Sequence, residues 1–155
     1  MRRRLRGIFA GRFAQRLAFY YAGLFAVLGM QMPLFPVWLT AKGLDSREIG
    51  LALAVPMAVR LVSVPIVARI ADRRSALRGA LIATSAIATA GYLGVGLAHG
   101  FASILIILAL AAAAFTPTMP LADAYALIGL ARRAKAYGPV RLWGSAAFIA
   151  AMRVE

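Results

Sequence analysis

Three ionisable side chains stand inside long apolar runs. Arg60 lies near the middle of one run, Asp123 in the second half of another, and Arg141 at the opening of a third. A charge at membrane depth costs roughly 2.5–3.5 kcal/mol on insertion scales, so such groups face a cavity or a partner. If the helix continues, Asp123 stands about 13 Å along it from the basic Arg132. Asp123 and Arg141 then fall at similar depth on consecutive segments. Arginine can hold a carboxylate through two parallel N–H···O bonds, so the two can neutralise each other. Such a pair either pins two helices together or contacts a solute or a proton in a central cavity; the residues alone leave both open. For Arg60 the choices are snorkelling to the interface, pairing with a carboxylate on another helix, or touching a solute. Gln31, beside Pro33, suits a cavity wall or a helix interface. Asp72, followed by Arg73 and Arg74, can lock two helix ends by charge-assisted hydrogen bonds, or is one acid in a basic loop.

The elements that must position these groups are long apolar stretches. Four are long enough to cross a bilayer, at about 17–39, 49–71, 77–98 and 101–127, and a shorter fifth covers 139–152. The hydrophobic fraction is 63% and the mean hydropathy is +0.81. A soluble domain has about 45–50% apolar residues. A span needs about 20 apolar residues as a helix. A barrel would show alternating segments of about ten residues, which these runs lack. The expected fold is therefore an all-α membrane protein, with four transmembrane helices and a truncated fifth. Pro33, Pro36, Pro56, Pro65, Pro117 and Pro120 fall inside the runs and predict bends, either in a static bundle or in helices that line a cavity. Gly91, Gly94 and Gly96, with several alanines, predict a closely packed face on the third helix.

Charge placement orients the bundle. The net charge is +13. Arginines and lysines crowd before the first run, between the second and third, and between the fourth and fifth. The other junctions carry Lys42, Asp45, Arg47 and Glu48, which cancel, and His99. Positive loops stay cytoplasmic, so residues 1–16 are expected to be a basic cytoplasmic N-terminus and the runs to cross out, in, out, in. Cations clustered at one membrane face suit anionic lipid rather than nucleic acid. Asp45 or Ser46 can cap the second helix. The chain has no cysteine and one histidine, so no metal site or cofactor is implied. The first run is too long for a cleaved signal peptide and reads as a retained helix. Compact loops and the lack of organelle targeting suit a bacterial inner membrane protein.

At this point the sequence resembles the first third of a major facilitator superfamily transporter. It is most similar to the branch of lactose-permease-like and phenylpropionate-type proton symporters. The matching residues are Met32 to Leu39 (MPLFPVWL), Ile49-Gly50, Ala68 to Arg74 (ARIADRR), and Tyr137 to Ser145 (YGPVRLWGS). The resemblance implies a helix-four carboxylate, matched by Asp123, and a helix-five arginine, matched by Arg141, that pair and help to hold the solute. It implies that Asp72, with Arg73, steadies the inner gate. Two positions depart from the pattern. Ala68 replaces the usual opening glycine of the loop signature. Phe148 stands where a tryptophan stacks on sugar in lactose-type proteins, which weighs against a sugar and toward an aromatic acid.

The function expected is thus part of a proton symporter for a small organic solute, an aromatic acid or a sugar. Its partners would be the bilayer, solute, protons and the missing C-terminal helices. The fifth segment reaches only about 16 Å from Leu142 to Met152, roughly half the hydrocarbon thickness. Alternating access needs both halves of a transporter, so the chain alone is expected not to transport. The alternative is a small four-helix membrane accessory or assembly protein. An enzyme is disfavoured, because Ser63, Ser85 and Ser103 have no evident activating base and no phosphate loop is present.

Overall fold

The computed structural model describes residues 12–73, 76–132 and 137–152, with only the backbone described at Asp72, Arg73 and Pro139. Its elements are α1 (Arg12–Ala41), α2 (Ser46–Arg73), α3 (Leu77–Leu97), α4 (Phe101–Phe115), α5 (Thr118–Ala131) and α6 (Gly138–Met152). No strand occurs among the described residues. Lipid offers the backbone no hydrogen bonds, and a helix satisfies its own. Among the described residues, Arg12–Ala41, Ser46–Ala71, Leu77–Leu97 and Phe101–Ala131 are long and apolar enough to cross a membrane, and Val140–Met152 is a shorter apolar helix.

Helix α1 starts ahead of the apolar run. Arg12, Gln15 and Arg16 are exposed there while Ala14 and Leu17 are buried, so its first turns are amphipathic. At its other end Gly43 takes φ +84°. That left-handed turn lets Gly43 N–H reach the Thr40 carbonyl (2.9 Å) and Leu44 N–H reach the Leu39 carbonyl (3.3 Å). These two bonds form a Schellman stop. Asp45 caps α2: its Oδ1 accepts from Glu48 N–H (2.8 Å), and Glu48 Oε2 accepts from Asp45 N–H (3.1 Å). This reciprocal box chooses Asp45 over Ser46 as the cap. Gly100, at φ +77°, turns the chain from α3 into α4.

The prolines do not act alike. Pro33 and Pro36 lie inside unbroken α1, and Pro56 and Pro65 inside unbroken α2. The fourth span alone divides, at Thr116–Pro117. Pro117 has no N–H to give. Around it Thr118 Oγ1 donates to the Ala114 carbonyl (3.1 Å), and the hydroxyls of Thr116 and Ser63 share a hydrogen bond (2.8 Å).

The chain forms two units, Trp38–Tyr125 and Met1–Val37 with Ala126–Glu155. In the first, α4 packs against both α2 and α3. Helices α3 and α4 run antiparallel: Gly91 meets Ala111 and Gly94 meets Ile107. A Cβ on Gly91 would stand 2.7 Å from the Ala111 Cβ, so only glycine allows this approach. Because lipid is as apolar as leucine, helix association in a membrane depends on such close packing. Tyr92 and Phe115 extend the seam edge to face, 5.6 Å apart. At the opposite end of the seam, beside the α3–α4 turn, Lys42 Nζ donates to the carbonyls of Gly96 (3.3 Å) and Ala98 (3.1 Å). This bond joins the two junctions expected on the outer side.

In the second unit, the early part of α1 packs against α6 and the end of α5. Gly129 accommodates the Phe13 ring, which brings the end of the fourth span beside the start of the first. Along α1, residues 21, 25 and 29 meet residues 137, 144 and 148–151 in ascending order. Helices α1 and α6 are therefore parallel, as first and fifth spans of an alternating bundle must be.

Candidate functional site

The seam between α1 and α6 holds Arg141. The Tyr137 carbonyl accepts the N–H groups of Val140 (3.1 Å) and Arg141 (3.2 Å), which opens α6. Arg141 is four residues on, so its side chain shares a face with that of Tyr137. Its Nη1 donates to the Tyr137 hydroxyl at 2.8 Å, and its guanidinium carbon lies 6.0 Å from the ring centroid. Tyr137 in turn meets Tyr21, with centroids 6.4 Å apart and planes at 73°. Tyr21 is fully buried on α1.

The rest of the seam continues this pattern. Phe25 is one turn beyond Tyr21, with the ring centroids 6.4 Å apart. Phe148 stands edge to face against Phe25, at 6.4 Å and 88°. Gly144 makes room between them, since a Cβ there would lie 2.8 Å from the Phe25 ring. Gly29 lets α6 approach as closely: a Cβ would lie 2.8 Å from the Phe148 carbonyl oxygen. On α6 the recurrence of 137, 141, 144 and 148 at helical spacing puts the arginine and rings on one stripe. The seam thus joins a fixed cation to aromatic edges. A planar guanidinium suits a carboxylate, and aromatic surface suits an apolar skeleton.

Of the residues expected from sequence, Arg141 and Phe148 share this stripe, and both are half-buried. Asp123 belongs to the Trp38–Tyr125 unit. It is half-buried on α5, three residues past Pro120. Arg60 is on α2 in the same unit and is exposed, between the exposed Met57 and Leu61. Asp72 and Arg73 close α2, and their side chains lie outside the described residues, as does Arg74. Tyr21, Phe25 and Tyr137 were not singled out from sequence. The four-residue step from Tyr137 to Arg141 was the available signal for one of them.

Four helices among the described residues, long and apolar enough to cross a bilayer, define a multi-pass membrane protein. The MFS_1 like family matches residues 14–154, and the chain belongs to that family of major facilitator transporters. It is 35% identical over 137 residues to the "Probable 3-phenylpropionic acid transporter" of Escherichia coli (strain K12), covering 86% of this chain and 35% of that protein. It is 28% identical over 134 residues to the "Maltose permease" of Geobacillus stearothermophilus, covering 86% of this chain and 34% of the permease. These relatives are transporters, not enzymes, and the chain spans about a third of their length. No solved structure matches it significantly.

Proposed function

We infer that this chain supplies the N-terminal part of a twelve-helix, proton-coupled transporter for a small organic anion, with an aromatic carboxylate as the preferred solute. The observation that carries the reading is Arg141, half-buried and bonded to Tyr137, whose ring meets Tyr21 on a seam that continues through Phe25 and Phe148. In this reading Arg141 holds the carboxylate and the rings hold the phenyl group. Asp123, a carboxylate within the fourth apolar span, is the proposed proton-exchanging group. Arg60 is proposed as a further cation for the solute, and Asp72 with Arg73 as the pair that steadies the inner gate. The similarity to a phenylpropionic acid transporter supports the solute class. The similarity to a maltose permease favours a second reading, a sugar. A four-helix accessory role draws no support from these relatives.

In this reading the protein sits in a bacterial inner membrane with its N-terminus in the cytoplasm; the positively charged junctions support that orientation. Equilibrium binding to the chain in lipid nanodiscs tests the solute. Labelled 3-phenylpropionate is expected to bind and to resist competition by maltose. Displacement by maltose, or binding of maltose alone, would reverse the preference. Rocking transport requires two halves, so uptake of 3-phenylpropionate into proteoliposomes holding only this polypeptide is expected to stay at background.

A further inference from the structure

We propose that Tyr137 is the positioning residue for Arg141, setting the guanidinium's orientation toward the solute carboxylate; this rests on the reading of Arg141 given above. Tyr137 grips Arg141 twice. Its carbonyl accepts the Arg141 backbone N–H (3.2 Å), and its hydroxyl accepts Nη1 (2.8 Å). The first bond sets the helix register and the second sets the side-chain direction. The phenol is itself held, because its ring abuts the fully buried Tyr21 edge to face. An arginine side chain carries about 2 kcal/mol of rotamer entropy. Fixing one Nη removes much of that freedom before a solute arrives, and preorganisation of this kind raises affinity. Orientation matters because bidentate recognition of a carboxylate needs the plane of the guanidinium aligned with it. The cation near the ring face adds a weaker attraction that survives loss of the hydroxyl.

The test is Tyr137→Phe, which removes the hydroxyl and keeps the ring. Two measurements are made on the chain in nanodiscs. In the first, with no solute, 15N-labelled arginine reports exchange of the Arg141 guanidinium protons with water, assigned by loss of the signal in Arg141→Lys. Exchange is expected to quicken about tenfold in Tyr137→Phe, the scale of one hydrogen bond to a charged group. Unchanged exchange would overturn the proposal. In the second, Tyr137→Phe is expected to weaken 3-phenylpropionate binding about tenfold and leave the neutral analogue 3-phenylpropanol unaffected. Equal loss for both would mean a merely structural role and would also overturn it. Failure of the underlying reading looks different: Arg141→Lys would then bind 3-phenylpropionate as the wild type does, or the wild type would not bind it, while the exchange measurement still decides what Tyr137 does to Arg141.

Discussion

The two helix seams of this protein are built from opposite materials. Between α3 and α4, Gly91 lies against Ala111 and Gly94 against Ile107, and no ionisable side chain takes part in these contacts. Between α1 and α6, glycine is used differently. Gly144 and Gly29 yield space to Phe25 and to the Phe148 backbone, and Arg141 and its tyrosine partner stand in the same stripe. The first seam has a complete explanation in packing, since small residues allow the close approach that membrane helices need. The second carries a charge whose insertion is costly and whose guanidinium donates to the Tyr137 hydroxyl. The contrast directs the search for function to the seam that holds a charge, where the proposed role of Arg141 can be tested.

Substitution should separate the seams, and the largest effect belongs to the charged one. Arg141→Lys keeps the charge but loses the planar fork. It should reduce 3-phenylpropionate binding by about a hundredfold, the scale of two charge-assisted hydrogen bonds, with little change in thermal unfolding in detergent. A variant that binds normally would remove Arg141 from the site. The reverse signature is expected of Gly91→Ala. Its new Cβ would meet Ala111 backbone and side chain at 2.9 and 2.7 Å, so the helices must part. Overpacking of this kind costs about 1–3 kcal/mol. Stability should fall by that scale while the folded fraction binds with unaltered affinity. Gly29→Ala sharpens the comparison, because its Cβ strikes the Phe148 carbonyl and should disturb stability and binding together.

Smaller effects mark the points where sequence reasoning stopped short. Removing the α2 cap with Asp45→Ala should cost about 1 kcal/mol. Ser63→Ala should cost about 0.6 kcal/mol, the average for a hydrogen bond between membrane helices. Both are read from thermal unfolding, and no change in the second would show that Ser63 does not hold the break at Thr116–Pro117.

Much of the fold was legible because it depends on two local properties, apolar length and the side on which cations collect. The spans follow from the first, the orientation expected from the second awaits test, and the close-packed third helix follows from its glycines. The break at Thr116–Pro117 did not, because six prolines read alike in sequence. Which one interrupts a helix depends on what receives the neighbouring polar groups, and one receiver, Ser63, is 53 residues from Thr116. Glu48 escaped notice as the reciprocal half of the Asp45 cap. The bond from Lys42 to Gly96 and Ala98 spans more than fifty residues and has no local signature. At the site, Arg141 was evident as a charge out of place. The rings that orient it were not, since an aromatic stripe at helical spacing looks like ordinary core until its neighbour across the seam is known.

Everything at the site depends on which ends of the helices share a compartment. Helix α1 spans about 45 Å over its 30 residues. Within one unit Lys42 is tied to the α3–α4 turn; within the other, Phe13 lies against Gly129. The chain has no native cysteine, so single cysteines at positions 43, 99 and 132 can be probed with a membrane-impermeant maleimide on intact cells. Labelling at Gly43→Cys and His99→Cys from outside, with Arg132→Cys reached only after permeabilisation, is the expected result. Labelling of positions 43 and 132 from the same compartment would contradict the alternating bundle and the placement of Arg141 within it.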